Sequence, residues 1–304
     1  MALGLAAPGP SDRASPLGFR SLAAYRDLMR EIVRQGLVDI MLMSSSSAEL
    51  LAIDERLFAQ STVTPAARAN DTTDIWLGKS GQYTRQPSRG FRTATVAELQ
   101  YGSHRPGGSP LVNLGLYSLT LNNDAILDRE ALELYRTFRQ EATAAGFQHF
   151  LEVFAPNAPV QPIADVPRFV NDSIARLLAG IPFRGRPLFL KMPYFGPAAL
   201  ESLCYYDSAL IVGVLGGSAG TTLDAFLLVE QAKKHGARAA LFGRKINQSE
   251  DQLAFVRFLR AVADDQLSAT EATKAYHGEL QKAGFKPRRT LQDDLQVTDA
   301  TLKA

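Results

Sequence analysis

The chain has 304 residues, of which 46% are hydrophobic, enough for one large domain or two ordinary ones with a sizeable core. Its 33 Lys and Arg nearly balance 31 Asp and Glu, so there is no net field that would recruit nucleic acid or an anionic membrane. The single cysteine, Cys204, excludes an internal disulfide and a thiolate zinc site and suits a reducing compartment. We therefore expect a cytoplasmic protein without a nucleic-acid partner.

Membrane and metal signals are weak in this sequence. The first residues lack the basic segment of a secretory signal, and no window approaches about 18 uninterrupted apolar residues, so no membrane association is expected. The four histidines are scattered without ligand spacing. A catalytic metal held by several histidines is therefore not expected.

Helical and strand patterns alternate along most of the chain. The first helix is predicted from Leu22, with Ser21 as its N-cap and Gly36 as its stop. Segment 78–110 is rich in Gly, Ser and Arg and is interpreted as an irregular insertion with one short helix, typical of a lid or substrate-binding loop. Seven short apolar strands are predicted, within 37–43, 61–70, 111–121, 149–156, 187–195, 209–217 and 237–244.

This alternation implies parallel strands joined by right-handed crossovers. A doubly wound sheet could hold seven strands, but a (β/α)8 TIM barrel of about 250 residues fits the length and the repeat better. The barrel would span 19–285, between a flexible N-terminal segment, 1–18, and a polar C-terminal tail, 286–304. Since 1–18 contain no convincing strand, the first strand is expected to be degenerate or missing, unless the chain begins late relative to such barrels.

In a TIM barrel, side chains at the carboxyl ends of the strands converge on the active site. Of the predicted strand ends, two offer glycine-rich turns suited to a phosphate. Gly216, Gly217 and Ser218 precede a helix whose N-terminal N–H groups favour an anion, and Gly243 and Arg244 end the next strand. The alternative is that these glycines only make tight turns.

Lys191 ends an apolar strand, where loss of solvation disfavours the ammonium. A neutral lysine amine adds to a ketone or aldehyde to form a Schiff base, which acts as an electron sink for the neighbouring C–C bond. Two alternatives stay open from the sequence: a surface lysine, or a lysine in a structural ion pair with Glu152.

The order of these motifs resembles a known family. "FLKMPYFGP", then "IVGVLGGS", then "ALFGRKINQSED" look like the last three strands of the class I, Schiff-base aldolases of the deoxyribose-phosphate, tagatose-bisphosphate and archaeal-type fructose-bisphosphate group. The resemblance covers roughly 111–265. It implies Lys191 as the Schiff-base lysine, Gly216, Gly217, Gly243 and Arg244 around a phosphate, and Glu152 at an acidic position.

Two departures from that family concern proton transfer. Gly213 stands where deoxyribose-phosphate aldolases carry a second lysine, and the strand that carries an acidic residue in fructose-bisphosphate aldolases is the one not found. The remaining candidates for the general acid or base are Asp71, Asp74, Glu152 and Tyr117, although the two aspartates could instead cap the following segment.

The sequence thus predicts a class I aldolase-like lyase that acts on a phosphorylated sugar or a related carbonyl compound. No metal or organic cofactor is expected, because the imine replaces the metal as electrophile, and a homo-oligomer is expected. The alternatives are a catalytically silent sugar-phosphate-binding barrel or assembly subunit, a transaldolase- or acyltransferase-type Schiff-base enzyme, and a metal-dependent aldolase.

Overall fold

The computed structural model describes residues 20–76, 81–104, 107–217 and 220–303. The strands are β1 Ile40–Met43, β2 Thr64–Arg68, β3 Asp71–Thr72, β4 Gly90–Phe91, β5 Leu114–Thr120, β6 Gln148–Phe154, β7 Leu190–Met192, β8 Val212–Gly216 and β9 Ala239–Phe242. The helices are α1 Leu22–Gln35, α2 Ser45–Ala48, α3 Thr73–Trp76, α4 Val96–Tyr101, α5 Ala125–Ala144, α6 Val166–Ala179, α7 Pro197–Tyr206, α8 Thr222–Lys234, α9 Arg244–Asn247, α10 Gln252–Ala263, α11 Ala269–Lys282 and α12 Leu291–Asp294.

Seven strands form one parallel sheet in the order β1-β2-β5-β6-β7-β8-β9, as the alternation of strands and helices predicts. Residues of the two edge strands, β1 and β9, line the same interior cavity, so the sheet curls into an open barrel. The gap lies between these edges, at the place of the strand that would precede α1. The prediction of a TIM barrel is therefore confirmed as an open barrel of seven strands in the described ranges, and segment 1–18, where the degenerate or missing first strand was expected, lies outside them.

The first helix begins and ends as the sequence predicts. The Ser21 side chain accepts a hydrogen bond from the Ala24 N–H, and Gly36 closes the helix with φ of 69°. That left-handed conformation is one that glycine adopts without steric cost. Buried residues on one side of α1, among them Met29 and Val33, turn the helix toward the core.

The inner face of the sheet is apolar up to the level of the candidate site. Leu116 and Phe150 are fully buried there, and the Phe150 ring stacks on the Phe189 ring at 4.4 Å between centroids. Because side chains alternate between the two faces of a strand, the residues two positions further along point to the same side. Those residues are Ser118, Glu152 and Lys191, so a polar layer follows directly on the apolar one.

The predicted insertion contains the expected short helix, α4, and the strand β4, which pairs antiparallel with β3 upstream of the insertion in a ribbon that the sequence did not predict. The C-terminal residues beyond α11 fold back onto the start of α8. Asp294 accepts a hydrogen bond from the Thr222 N–H at 2.7 Å, and Leu302 is buried. Within the described ranges, no helix combines the length and apolar character needed to span a bilayer.

Candidate active site

Lys191 and Glu152 meet inside the barrel. They are paired in register on the neighbouring strands β7 and β6, and Lys191 Nζ lies 2.5 Å from Glu152 Oε1. Leu190 and Met192 point outward from the barrel, into the hydrophobic core between the sheet and the helices. Lys191 therefore points into the barrel cavity, with its side chain 14% exposed. The sequence alternative of an ion pair with Glu152 is therefore present in the structure, at the carboxyl end of the barrel.

Two residues that the sequence analysis missed complete this layer. Ser118 Oγ donates a hydrogen bond to Glu152 Oε2 at 2.7 Å, and Arg68 Nη1 lies 3.9 Å from the same oxygen. Arg68 Nη1 also donates to Ser118 Oγ at 3.2 Å. Asn70 fixes the Ser118 backbone by accepting from its N–H at 2.6 Å and donating to its carbonyl at 2.7 Å.

A signal for Arg68 was present in the sequence. Like Lys191, it is a single charge at the end of an apolar strand, here "TPAAR". The sequence instead indicated the two aspartates that follow it, Asp71 and Asp74, as candidates for the general acid or base. Ser118 had no comparable signal, because a lone serine in a buried strand is ordinary.

The neighbours of Glu152 decide its charge. Burial alone would raise the pKa of this carboxyl, but the Lys191 ammonium, the Arg68 guanidinium and the Ser118 hydroxyl together outweigh burial and hold the pKa below its usual range. Burial also lowers the pKa of Arg68, an effect that Glu152 and Asp71 oppose. Glu152 is therefore a carboxylate at neutral pH, in direct contact with Lys191.

A cavity of about 650 Å³ occupies the barrel interior and opens toward the gap between β1 and β9. Its lining includes Lys191, Glu152 and Arg68 together with Gly216, Gly243 and Arg244. The structure thus brings the predicted Schiff-base lysine and three of the five predicted phosphate-binding residues to one cavity. Gly217 is exposed next to it, and Ser218 lies outside the described residues.

The start of α8 is not open to an anion in the way that the sequence suggests. The Thr221 N–H donates to Asp224 Oδ2 at 2.8 Å, and the Thr222 N–H donates to Asp294 Oδ1 at 2.7 Å. Carboxylates of the chain itself therefore occupy the positive end of this helix.

Gly216 also has a packing role. A Cβ atom there would lie 2.1 Å from the Phe242 ring, so the residue lets that ring cross the strand. Packing alone is therefore a sufficient reason for glycine at this position. A purely structural role for this glycine, which the sequence analysis left open as a tight turn, needs no ligand.

The structure places Asp71 and Asp74, the other predicted acid or base candidates, in different surroundings. Asp71 follows β2 and is half-buried beside Arg68; burial raises the pKa of its carboxyl, although Arg68 opposes this. Asp74 Oδ1 instead accepts a hydrogen bond from Ser88 Oγ at 2.6 Å, which ties α3 to the segment before β4.

Tyr117 points away from the cavity. It is buried on the helix side of β5, where its ring stacks on Phe138 at 4.7 Å between centroids and contacts Tyr135. Burial raises the pKa of its phenol. The prediction that Tyr117 moves a proton is thus corrected: neighbouring Ser118 faces inward, so Tyr117 faces the core.

Gly213 lies in register with Lys191 on the next strand, β8. A Cβ atom at this position would be 2.6 Å from the Leu190 carbonyl oxygen and 3.0 Å from Ala239 Cβ. The backbone therefore leaves no room here for the second lysine of the deoxyribose-phosphate aldolases. Within the described ranges, no group of three or more His, Cys, Asp or Glu side chains could hold a metal ion.

Comparisons with known proteins agree with this fold. No protein-family model matches the sequence, and no curated protein matches it. Among solved structures, an archaeal fructose 1,6-bisphosphate aldolase is similar at 17% identity and a TM-score of 0.58, over 79% of this chain and 84% of that one. One structure of such an archaeal enzyme has its catalytic lysine covalently bound to a carbinolamine intermediate of the substrate, with the same identity, coverage and TM-score.

Two bacterial structures are similar to the same degree. The fructose-bisphosphate aldolase of Slackia heliotrinireducens has 15% identity and a TM-score of 0.60, over 85% of this chain and 79% of that one. Cgl0159 of Corynebacterium glutamicum has 19% identity and a TM-score of 0.57, over 82% and 79%. At these identities the likeness concerns the fold alone, and it confirms that the chain shares the barrel fold of these structures.

Proposed function

We propose that this protein is a Schiff-base aldolase in which Lys191 forms an imine with a phosphorylated sugar or a related carbonyl compound. The observation that carries the proposal is the 2.5 Å contact between Lys191 Nζ and Glu152 Oε1 inside a cavity that Gly243 and Arg244 also line. This contact supplies a lysine nucleophile with an adjacent base, both largely buried at the wall of the cavity.

The first half of the proposed reaction uses this pair. Glu152 accepts a proton from Lys191 Nζ, and the freed lone pair attacks the carbonyl carbon of the substrate. The attack gives a carbinolamine, and protonated Glu152 returns its proton to the carbinolamine hydroxyl, which leaves as water and gives an iminium. Arg68 and Ser118 stabilise the carboxylate form of Glu152 before the transfer, so they act as positioning residues.

The second half breaks the C–C bond. The electron pair of the bond between the α and β carbons moves into the iminium and gives an enamine, while the β-hydroxyl loses its proton to a carboxylate and departs as an aldehyde. Protonation of the enamine and hydrolysis then release the second product and the amine. Asp71 is the second carboxyl in this proposal, because it follows β2 and is half-buried beside Arg68, where burial raises the pKa of its carboxyl.

The phosphate of the substrate is proposed to bind at Gly217, Gly243 and Arg244. Arg244 is exposed, and its guanidinium can give two parallel hydrogen bonds to phosphate oxygens. Because carboxylates already occupy the first amides of α8, that helix contributes little to binding, and Arg244 carries the charge recognition.

A catalytically silent barrel is the second candidate. It is favoured by the same polar layer, since Glu152 has hydrogen-bonding or charged partners in Lys191, Ser118 and Arg68, as a structural buried ion pair requires. A transaldolase-type reaction would use the same lysine and differ in the acceptor.

An aldol cleavage assay over a panel of ketose phosphates, in the presence of EDTA, tests the proposal. Lys191→Arg keeps the charge but removes the amine that forms an imine, and it should lower the rate by roughly a thousandfold or more. Lys233→Met is the matched control, since Lys233 is a partly exposed lysine that pairs with Asp265. Full activity in Lys191→Arg, or loss of activity with EDTA, would contradict an imine mechanism.

A further inference from the structure

A second cavity, here named the rim cavity, lies beside the central one at the C-terminal end of the barrel. Its volume is about 230 Å³, and the residues that define it are Lys245, Arg288, Arg289, Glu250 and Asp294, with Gly220 and Thr222 at the start of α8. Arg244 lines the central cavity while the next residue, Lys245, lines the rim cavity. The short helix α9 therefore separates two cavities that each carry positive charge.

The carboxylates of the rim cavity are already engaged by the protein. Glu250 accepts hydrogen bonds from the backbone N–H of Arg288 at 2.8 Å and from the Tyr276 hydroxyl at 3.0 Å. Asp294 accepts from the Thr222 N–H at 2.7 Å, and its other oxygen lies 2.9 Å from His277 Nε2. Each carboxylate oxygen thus has a hydrogen-bonding partner other than the side chains of Lys245, Arg288 and Arg289. The two carboxylates therefore neutralise these three cations only in part.

The cations are less well satisfied. Lys245 Nζ donates to the Gly220 carbonyl at 2.8 Å, and Arg289 Nη1 lies 3.9 Å from Asp294 Oδ1, too far for a hydrogen bond. No ion pair involves the exposed Arg288 guanidinium within the described part of the chain. Three cationic side chains therefore line one cavity, and they have N–H groups that can donate hydrogen bonds to a ligand there.

The environment of Lys245 indicates the same imbalance. Burial, followed by the nearby Arg289 guanidinium, lowers its pKa to about 8, although Asp294, Asp224 and Glu250 oppose the shift. An anion in the cavity would offset both unfavourable influences, because it would pair with the ammonium and the guanidinium at once.

We propose that the rim cavity is a second anion site, separate from the cavity of Lys191, and that it binds the phosphate group of a small molecule. Two guanidinium groups and one ammonium around a pocket several water molecules in size match the charge and hydrogen-bonding capacity of a phosphate dianion. The Lys245 contact to Gly220 would connect this site to the β8–α8 connection that also borders the central cavity.

Titration of the full chain with inorganic phosphate, followed by calorimetry, tests the proposal. Arg244→Gln first weakens the central cavity, so that one site of unchanged affinity is expected to remain. Adding Arg288→Gln and Arg289→Gln should then weaken that site by at least about tenfold, as the loss of charged hydrogen bonds predicts. Both arginines are exposed, so folding of this variant is expected.

The matched control removes the same two charges elsewhere, with Arg176→Gln and Arg257→Gln in the Arg244→Gln background, and should bind phosphate unchanged. If Arg244→Gln alone abolishes phosphate binding, or if the arginine variants bind as tightly as their control, the rim site is wrong. Neither result bears on imine formation at Lys191, which is measured independently of phosphate binding.

Discussion

Lys191 and Glu152 face each other across two adjacent parallel strands, with Nζ and Oε1 2.5 Å apart and both side chains largely removed from solvent. The aligned strands place this pair two residues beyond the stacked rings of Phe150 and Phe189. The two charges therefore make direct contact within a buried polar layer, and the pair should behave as one unit in folding and in chemistry.

Removing both members of the pair should destabilise the protein by less than the sum of the two single losses. Glu152→Gln or Lys191→Met leaves a buried charge with an incomplete set of partners, a change that lowers the free energy of unfolding by about 3 kcal/mol. In the double variant the loss should fall short of the sum of the single losses by about 1 kcal/mol or more. Urea unfolding of the four proteins measures this coupling, and additive losses would show that the pair does not interact.

Arg68 should control the acid limb of activity. It lies 3.9 Å from Glu152 Oε2 and helps to hold the pKa of that carboxyl low. Without Arg68, Glu152 takes up a proton at higher pH and stops serving as a base. Arg68→Met should therefore shift the acid limb of the kcat–pH profile to higher pH. A pH–rate profile checks this, and an unmoved limb with only a lower plateau would mean that Arg68 supports the fold alone.

His149 should make the fold acid-sensitive. It lies in the core with Nε2 2.8 Å from the Tyr135 hydroxyl, and burial, with a smaller contribution from Arg139, lowers its pKa from 6.5 to about 4. Between these values the unfolded chain binds a proton that the folded chain does not, so stability falls as the pH drops through this window, by up to about 3 kcal/mol.

The variant His149→Gln isolates that contribution. Buried carboxylates whose pKa is lowered, such as Glu152 and Asp224, act mainly below pH 4.5 and are present in both proteins. The free energy of unfolding, measured by urea at several pH values, should therefore drop less between pH 6.5 and 4 in the variant. Parallel curves would contradict the assignment to His149.

Gly213 should be intolerant of any side chain. The Cβ atom of Gly213→Ala would lie 2.6 Å from the Leu190 carbonyl oxygen, a backbone atom that moves only with β7. We expect a loss of about 1–3 kcal/mol in the free energy of unfolding and, because Lys191 follows Leu190, a lower rate of imine formation. Gly278→Ala, at a helical position with open space, is the control that should leave imine formation unchanged and raise the free energy of unfolding by about 0.5–1 kcal/mol.

Most of the barrel followed from local patterns, and the polar layer followed only in part. The seven strands and the capped α1 were predicted because short apolar runs, N-cap residues and stop glycines are local features of the chain. Lys191 and Glu152 stood out as charges in apolar runs, and the strand register that joins them was not contained in either run.

The sequence could not assign the two faces of β5. All seven residues from Leu114 to Thr120 are buried, so the alternation of apolar and polar residues that marks an inner face is absent. Tyr117 was therefore proposed as a proton carrier, whereas Ser118 is the residue that reaches Glu152. The filled N-terminus of α8 was equally hidden, because Asp294 reaches Thr222 from 72 residues away in the chain.

Borohydride reduction of the protein with candidate ketose phosphates, followed by peptide mass spectrometry, tests the central claim most directly. A covalent adduct should appear on Lys191, in the unsubstituted protein and in Lys245→Met, and should be absent from Lys191→Arg. Lys245 is the informative rival because burial lowers the pKa of its amine to about 8. An adduct on Lys245 instead of Lys191, or no adduct with any ketose phosphate, would contradict the assignment of Lys191 as the Schiff-base residue.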